Sequence, residues 1–247
     1  MIYFNHYRHA TSILTIDDKR ILIDPVFAAK GAYPPIEMTK NPKRNPLIDL
    51  PLDYNELMKV DGVLITHNHN DHFDKLAKEK IPGTMPILCQ ESDIPAYDKL
   101  GFTNLTPING KTNWLGLKWQ SFRGTHGGGI LYKFLGITSS YLVNNENQKI
   151  YITGDTLLTY RVRKLLQKTQ PDVIIAFGGG ARLKIGGKIT MNHKDLLRMS
   201  RLLPDSRILA IHMNSINHCF DTKEELKELT GPQHKNIIIP GLQKTAL

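Results

Sequence analysis

The chain has 247 residues, of which 40% are hydrophobic and 22% charged, and a formal charge of +9. That composition excludes a disordered chain, and the length allows a core large enough that no metal is needed merely to hold a miniature fold together. The first residues lack the apolar core of a signal peptide, no apolar run reaches transmembrane length, and Cys89 and Cys219 stand in no metal or redox spacing, so a cytoplasmic protein with reduced thiols is expected.

Residues 10–16 and 20–24 flank a polar turn and read as a β-hairpin. Six prolines between positions 25 and 51 make the following connection irregular, of a length common in lids and binding loops. Residues 62–66 form a short buried strand, 73–80 have helical periodicity, 86–89 are a strand, and 92–100 a helix opened by Ser92 and closed by Gly101. Strands follow at 105–108, 114–122, 139–143 and 149–153. A basic amphipathic helix over 157–168 leads to a buried strand at 172–177. Helix 194–203, strand 207–212, helix 223–229 and strand 236–239 complete the chain. A β-rich first half thus passes into α/β alternation with no linker or repeat. One domain over 1–247 is expected, with two packed sheets and helices outside.

Directly after the first buried strand comes Thr66-His67-Asn68-His69-Asn70-Asp71-His72. Imidazole nitrogen and carboxylate oxygen are natural ligands of zinc and related divalent ions. On an extended chain His67 and His69 share a face and can grip one ion, and a turn at Asp71 and His72 would aim those two at a second. The same logic recurs at later strand ends: His126 in a glycine-rich loop, Asp155 in Gly154-Asp155-Thr156, and His212. One ion would take His67, His69 and His126, the other Asp71, His72 and His212, with Asp155 bridging. Open coordination would hold a water whose pKa the metal lowers, giving hydroxide at neutral pH. Competing local roles exist: Asp71 could cap the 73–80 helix and Asp155 the 157–168 helix. Asp71 also counts as a catalytic candidate, and His193 and His218 as groups that orient a ligand or protonate a leaving group. His6, His9 and His234 are read as structural. Gly178-Gly179-Gly180 lacks the Lys-Ser/Thr of a phosphate loop and reads as a turn that admits substrate or backbone near the metals, or as a tight strand-to-helix connection.

These seven ligand candidates resemble the metallo-β-lactamase superfamily: its His-x-His-x-Asp-His motif (His67, His69, Asp71, His72), a later His126, Gly154-Asp155-Thr156 and a late His212, in the family's order. The segment Arg20-Ile21-Leu22-Ile23-Asp24-Pro25 is similar to the early strand of its lactonase-like and phosphodiesterase-like branches. The lactonase-like and N-acyl-phosphatidylethanolamine phospholipase D-like branches are the nearest. The resemblance implies an α/β fold, a four-layer αββα sandwich of two mixed β-sheets with a dinuclear site at one edge. The expected function is a metal-dependent hydrolase using metal-activated hydroxide on an ester-like bond, a phosphodiester or a lactone. Two divalent ions are the expected cofactors, zinc first, with manganese and iron accepted by the same donors. A small anionic substrate is expected from the basic balance, and a homo-oligomer is left open. The alternatives are a nucleic-acid-processing nuclease of the same fold, favoured only by the charge, and a metal-binding protein without catalysis. The basic residues are spread along the chain, so a solvated surface is the simpler account of the charge.

Overall fold

Alternating side chains decide the layering. In β3 (Lys19–Ile23), Ile21 and Ile23 face a different cluster from Leu22, and in β11 (Val173–Phe177) the same division separates Val173, Ile175 and Phe177 from Ile174 and Ala176. Both faces of each strand are therefore buried, which requires cover on both sides of each sheet. The computed structural model describes residues 1–129 and 134–247. One sheet runs β16 (Thr245–Ala246), β1 (Ile2–Arg8), β2 (Thr11–Ile16), β3, β4 (Gly62–Leu64), β5 (Ile87–Gln90), β6 (Leu105–Ile108). The other runs β15 (Ile237–Ile238), β14 (Arg207–Ile211), β11, β10 (Lys149–Ile152), β9 (Ser139–Asn144), β8 (Leu117–Arg123), β7 (Lys111–Trp114).

Phe4, Ile23, Leu64, Trp119, Ile175 and Leu209 belong to the core between the sheets. Short helices α1 (Tyr54–Leu57), α2 (Lys75–Lys80) and α3 (Ile94–Asp98) cover the first sheet through Leu57, Ala77 and Tyr97. The second sheet is covered by α4 (Tyr160–Thr169), α5 (His193–Leu202) and α6 (Lys223–Leu229) through Leu166, Met199 and Leu226. This is the expected αββα sandwich. Strands β3 to β6 run parallel, as do β10, β11, β14 and β15, while the remaining pairings in both sheets are antiparallel. Among the described residues no helix is long and apolar enough to cross a membrane.

Three local departures have physical causes. The strand expected over 114–122 is two strands, because Leu115 (φ 51°) and Gly116 (φ 77°) make the two-residue turn of a hairpin in which Trp114 pairs with Leu117. Leucine is an unusual occupant of that conformation, so the turn carries no Asn-Gly or Asp-Gly mark. Strand β1 went unread because two of its buried positions are His6 and Arg8, which break the apolar alternation. Helix α3 begins later than expected, after a 3₁₀ turn over Glu91–Asp93, and no side-chain cap opens either segment.

The proline-rich connection is irregular as expected, yet firmly held. Arg8 donates to the carbonyls of Val26 (2.7 Å), Ala28 (2.9 Å) and Ile48 (3.0 Å). Asp74 accepts from the backbone N–H of Phe27 (3.0 Å) and Ala28 (2.8 Å) and from the Tyr33 hydroxyl (3.1 Å). The result is a strap lying against the site.

Candidate metal centre and its cleft

The carboxyl ends of the parallel strands meet at one edge of the sandwich, where open α/β sheets commonly place their ligands. Strand β3 ends at Asp24, β4 leads into His67, β10 into Asp155 and β14 into His212. Close backbone approach makes this possible. Gly154 sits at φ 56°, and a Cβ there would strike the Ser139 carbonyl; one at Gly179 would strike the carbonyl of His212. Of the two readings of the glycine triplet, the structure thus supports backbone approach beside a candidate ligand.

All seven predicted ligands take part in three donor groups whose atoms lie within 4.8 Å of one another: His67, His69 and His126; His9, Asp71, His72 and His212; and His67, His72 and Asp155. Asp155 adjoins members of the other two groups. Its Oδ1 is 3.2 Å from His212 Nε2 and 3.5 Å from His72 Nε2, and its Oδ2 is 3.8 Å from His126 Nδ1. Neither local capping role holds. Asp74, not Asp71, caps α2, and Thr159, not Asp155, caps α4.

Hydrogen bonding sets which nitrogen of each ring faces inward. Asp24 is fully buried and accepts from Thr66 N (2.7 Å), Thr66 Oγ1 (2.7 Å) and His72 Nδ1 (2.7 Å). With its proton committed to Asp24, the Thr66 hydroxyl accepts from His67 Nδ1 at 3.0 Å. His126 Nδ1 donates to the Ile189 carbonyl at 3.1 Å. In all three rings Nε2 is the nitrogen that faces inward, with His67 Nε2 3.0 Å from His69 Nδ1 and His72 Nε2 3.2 Å from His212 Nε2. Ring nitrogens that converge in this way can share a cation. Such outer bonds orient metal ligands.

The electrostatics agree. Burial keeps His67 well below the ordinary imidazole value and His126 at about 4, so both stay neutral. Burial alone would raise Asp155 and Asp71, but His212 and His72 beside Asp155, and His72 and His9 beside Asp71, hold both well below the usual carboxylate range. His72 runs opposite: burial lowers it, yet Asp155, Asp24 and Asp71 together hold it well above its ordinary value. The neutral imidazoles of His67 and His126 beside the ionised Asp155 favour a cation. Asp155 Oδ1 and both ring nitrogens of His9 are buried without a hydrogen-bond partner, so the donor set fits a bound metal.

Two residues of this site went unrecognised. His9, read as structural, stacks on His212 with ring centroids 3.6 Å apart and points Nε2 at Asp71 Oδ2, 3.5 Å away. Its carbonyl accepts from His212 N (3.0 Å), tying the β1–β2 turn to the end of β14, and both residues hold left-handed backbone, φ 56° and 73°. Asp24 was visible only as part of a family-like strand. Of the proton-handling candidates, His218 lies beside the centre, with Nε2 3.6 Å from Asp71 Oδ2 and Nδ1 buried without a partner. His193 is placed apart. It opens α5, its N–H donates to Asp221 (2.8 Å), and its Nδ1 lies 3.7 Å from that carboxylate. It belongs to none of the donor groups and does not line the cleft. His6 does serve structure, donating from Nε2 to the His9 carbonyl at 2.8 Å.

Above the donors opens a cleft of about 580 Å³, with Asp71, His69, His126 and His218 in its floor. One wall is the strap over residues 33–46, and another includes Leu183 of the small hairpin β12 (Arg182–Leu183) and β13 (Gly187–Lys188). The buried Asn217 amide joins strap to floor. Asn217 Oδ1 accepts from Ile36 N (3.0 Å) and Asn45 Nδ2 (2.8 Å), and Nδ2 donates to Asn41 O (2.7 Å), Thr39 Oγ1 (2.9 Å) and Ile36 O (3.2 Å).

The chain is similar to known proteins over most of its length. Residues 19–213 match the family model described as a beta-lactamase superfamily domain. The UPF0173 protein YddR of Bacillus subtilis is 30% identical over 94% of this chain and 94% of its own, and a UPF0173 metal-dependent hydrolase of Flavobacterium johnsoniae is 27% identical over 89% and 88%. The crystal structure of an isothiocyanate hydrolase from Delia radicum gut bacteria superposes with a TM-score of 0.94 at 33% identity, covering 99% of both chains. With the His-x-His-x-Asp-His run, Asp155 and His212 converging at the sheet edge, the chain belongs to the beta-lactamase superfamily and, within it, to the UPF0173 metal-dependent hydrolases.

Proposed function

We propose that this hydrolase works with two divalent ions, zinc first, on an ester-like bond. His67, His69 and His126 would hold one ion; Asp71, His72 and His212, joined by His9, would hold the other; Asp155 would serve both. Metal bound there acidifies water toward neutral pH and polarises the oxygen of the scissile group. The chain's own residues do the rest. Asp24 and Thr66 orient the rings of His72 and His67, and the cleft above the donors receives the substrate. His218, kept neutral by burial and with its Nδ1 unpartnered, takes up the proton released by the attacking water and passes it to the leaving oxygen. The observation that carries this reading is the position of Asp155 between the two imidazole groups.

A second reading rests on the 33% identical isothiocyanate hydrolase. An isothiocyanate presents an equally electrophilic carbon: water adds across its C=N bond, and the resulting thiocarbamate separates into an amine and carbonyl sulfide. The nuclease alternative finds no support in the cleft, where no Lys or Arg is found among the described lining residues.

Metal analysis combined with turnover of lactones, carboxylic esters, thioesters, phosphodiesters and isothiocyanates tests the proposal. About two metal ions per chain, with activity lost to a chelator and restored by metal, is the expected result. Protein carrying one ion, or turnover indifferent to chelation, overturns it.

A further inference from the structure

The formal charge of +9 suggests an anionic substrate, but the cleft is built for something else. Its walls carry Val26, Ile36, Met38, Leu183, Ile189 and Ile216. Three prolines, Pro34, Pro35 and Pro46, add rigid apolar surface. Away from the donors in the floor, Glu37 is the one charged side chain among the described lining residues, and it would repel an anion. Among the described residues no Lys or Arg lines the cleft to pair with a bound anion at short range. The volume, about 580 Å³, suits a small organic molecule lying in an open cleft.

We infer that the substrate is uncharged, with its scissile group at one end of an aliphatic or otherwise apolar body that lies along the strap and the β12–β13 hairpin. This rests on the hydrolase reading and narrows it. Carboxylic esters, lactones and isothiocyanates with apolar bodies fit; phosphodiesters, whose charge persists at neutral pH, do not. The polar floor and apolar wall divide the labour. The donors meet the reacting group, and the wall takes up the tail by removing its surface from water.

Two measurements on the metal-loaded protein test the inference. The first is calorimetric binding of butanamide, hexanamide and octanamide, uncharged mimics that need no turnover. Affinity should rise about threefold to fourfold per added methylene until the cleft is filled. The second compares kcat/KM for 4-nitrophenyl hexanoate, the same ester with a terminal carboxylate on its acyl chain, and bis(4-nitrophenyl) phosphate. The methyl-terminated ester should lead both by at least tenfold. Leu183→Glu should flatten the chain-length dependence without changing metal content, and Met38→Glu, at a half-exposed position of the strap, provides the same test should the first variant not fold. Affinity that ignores tail length, preference for the carboxylate-ended ester, or faster phosphodiester cleavage overturns the assignment. Chain-length-dependent amide binding with no hydrolysis of any substrate overturns the hydrolase reading and supports the apolar-ligand assignment.

Discussion

The floor and the wall of the cleft are made in opposite ways. The floor is polar, and its side chains leave rigid strand ends of both sheets, with Asp24, Thr66 and the Ile189 carbonyl fixing the rings from behind. The wall is apolar and irregular, and Asn217 and Asn45 link it to the floor. A reactive site needs atoms placed within fractions of an ångström, which strand ends provide. A recognition surface for an apolar body needs shape without direction. The contrast predicts that chemistry and specificity can be damaged separately.

The largest effect should come from the residue that both donor groups share. Asp155→Ala should lose metal and lower kcat/KM by about three orders of magnitude or more, equivalent to several kcal/mol of transition-state stabilisation. Metal content by mass spectrometry alongside kinetics checks this, and retained metal with wild-type rates would remove Asp155 from the centre. Asp24→Asn strikes the floor from behind. It should weaken metal affinity about 10- to 100-fold, the usual cost of an outer-shell change, while protein saturated with metal recovers much of its rate. Unchanged affinity in a chelator competition would show that Asp24 does not orient His72.

The floor was largely legible in the sequence because its signal is local. Four of its donors fall within six consecutive positions, 67–72, and Asp155 and His212 follow apolar strands. Asp24 carries the same mark, a carboxylate closing an apolar strand, and could have been found by the rule that found Asp155. His9 could not, since it lies in a turn with φ 56° after a strand that hides His6 and Arg8 inside. The wall was invisible beyond its prolines. Asn217 meets Asn45 across 172 residues and Ile36 across 181, and nothing near it in sequence hints at either contact. The layers were legible from β-branched alternation, but the Leu115-Gly116 turn was not, because leucine is a poor herald of positive φ.

A buried histidine beneath the floor gives a third, smaller effect. Burial and the Lys223 charge lower His6 to about 3, against 6.5 for a free imidazole, outweighing the pull of the His9 carbonyl. Below pH 6.5 the unfolded chain takes up a proton that the folded one refuses, so stability falls as pH drops from about 6.5 toward about 3. The slope from one such group is about 1.4 kcal/mol per pH unit. His6→Gln keeps a donor for the His9 carbonyl and removes the titration, so Tm against pH should become shallower on the acid side. An unaltered slope would mean that other groups govern acid unfolding.

The wall supplies the smallest expected change in chemistry and the sharpest test of the division. Asn217→Ala leaves Ile36, Thr39, Asn41 and Asn45 without the amide that satisfies them. Each abandoned buried group costs about 1–3 kcal/mol if nothing replaces the bond. The strap should relieve that cost by shifting outward, widening the cleft. KM for a long-tailed neutral ester should then rise about tenfold, while kcat for a short acetate ester and the metal content stay near wild type. Thr39→Val removes two hydrogen bonds, one accepted from Asn217 Nδ2 and one donated to the Asn41 carbonyl, and should give the same split at lower amplitude, with less risk to folding. The split matters more than its size. If Asn217→Ala instead loses metal as Asp24→Asn does, the 212–219 segment transmits strap displacement into His212, and floor and wall are one device.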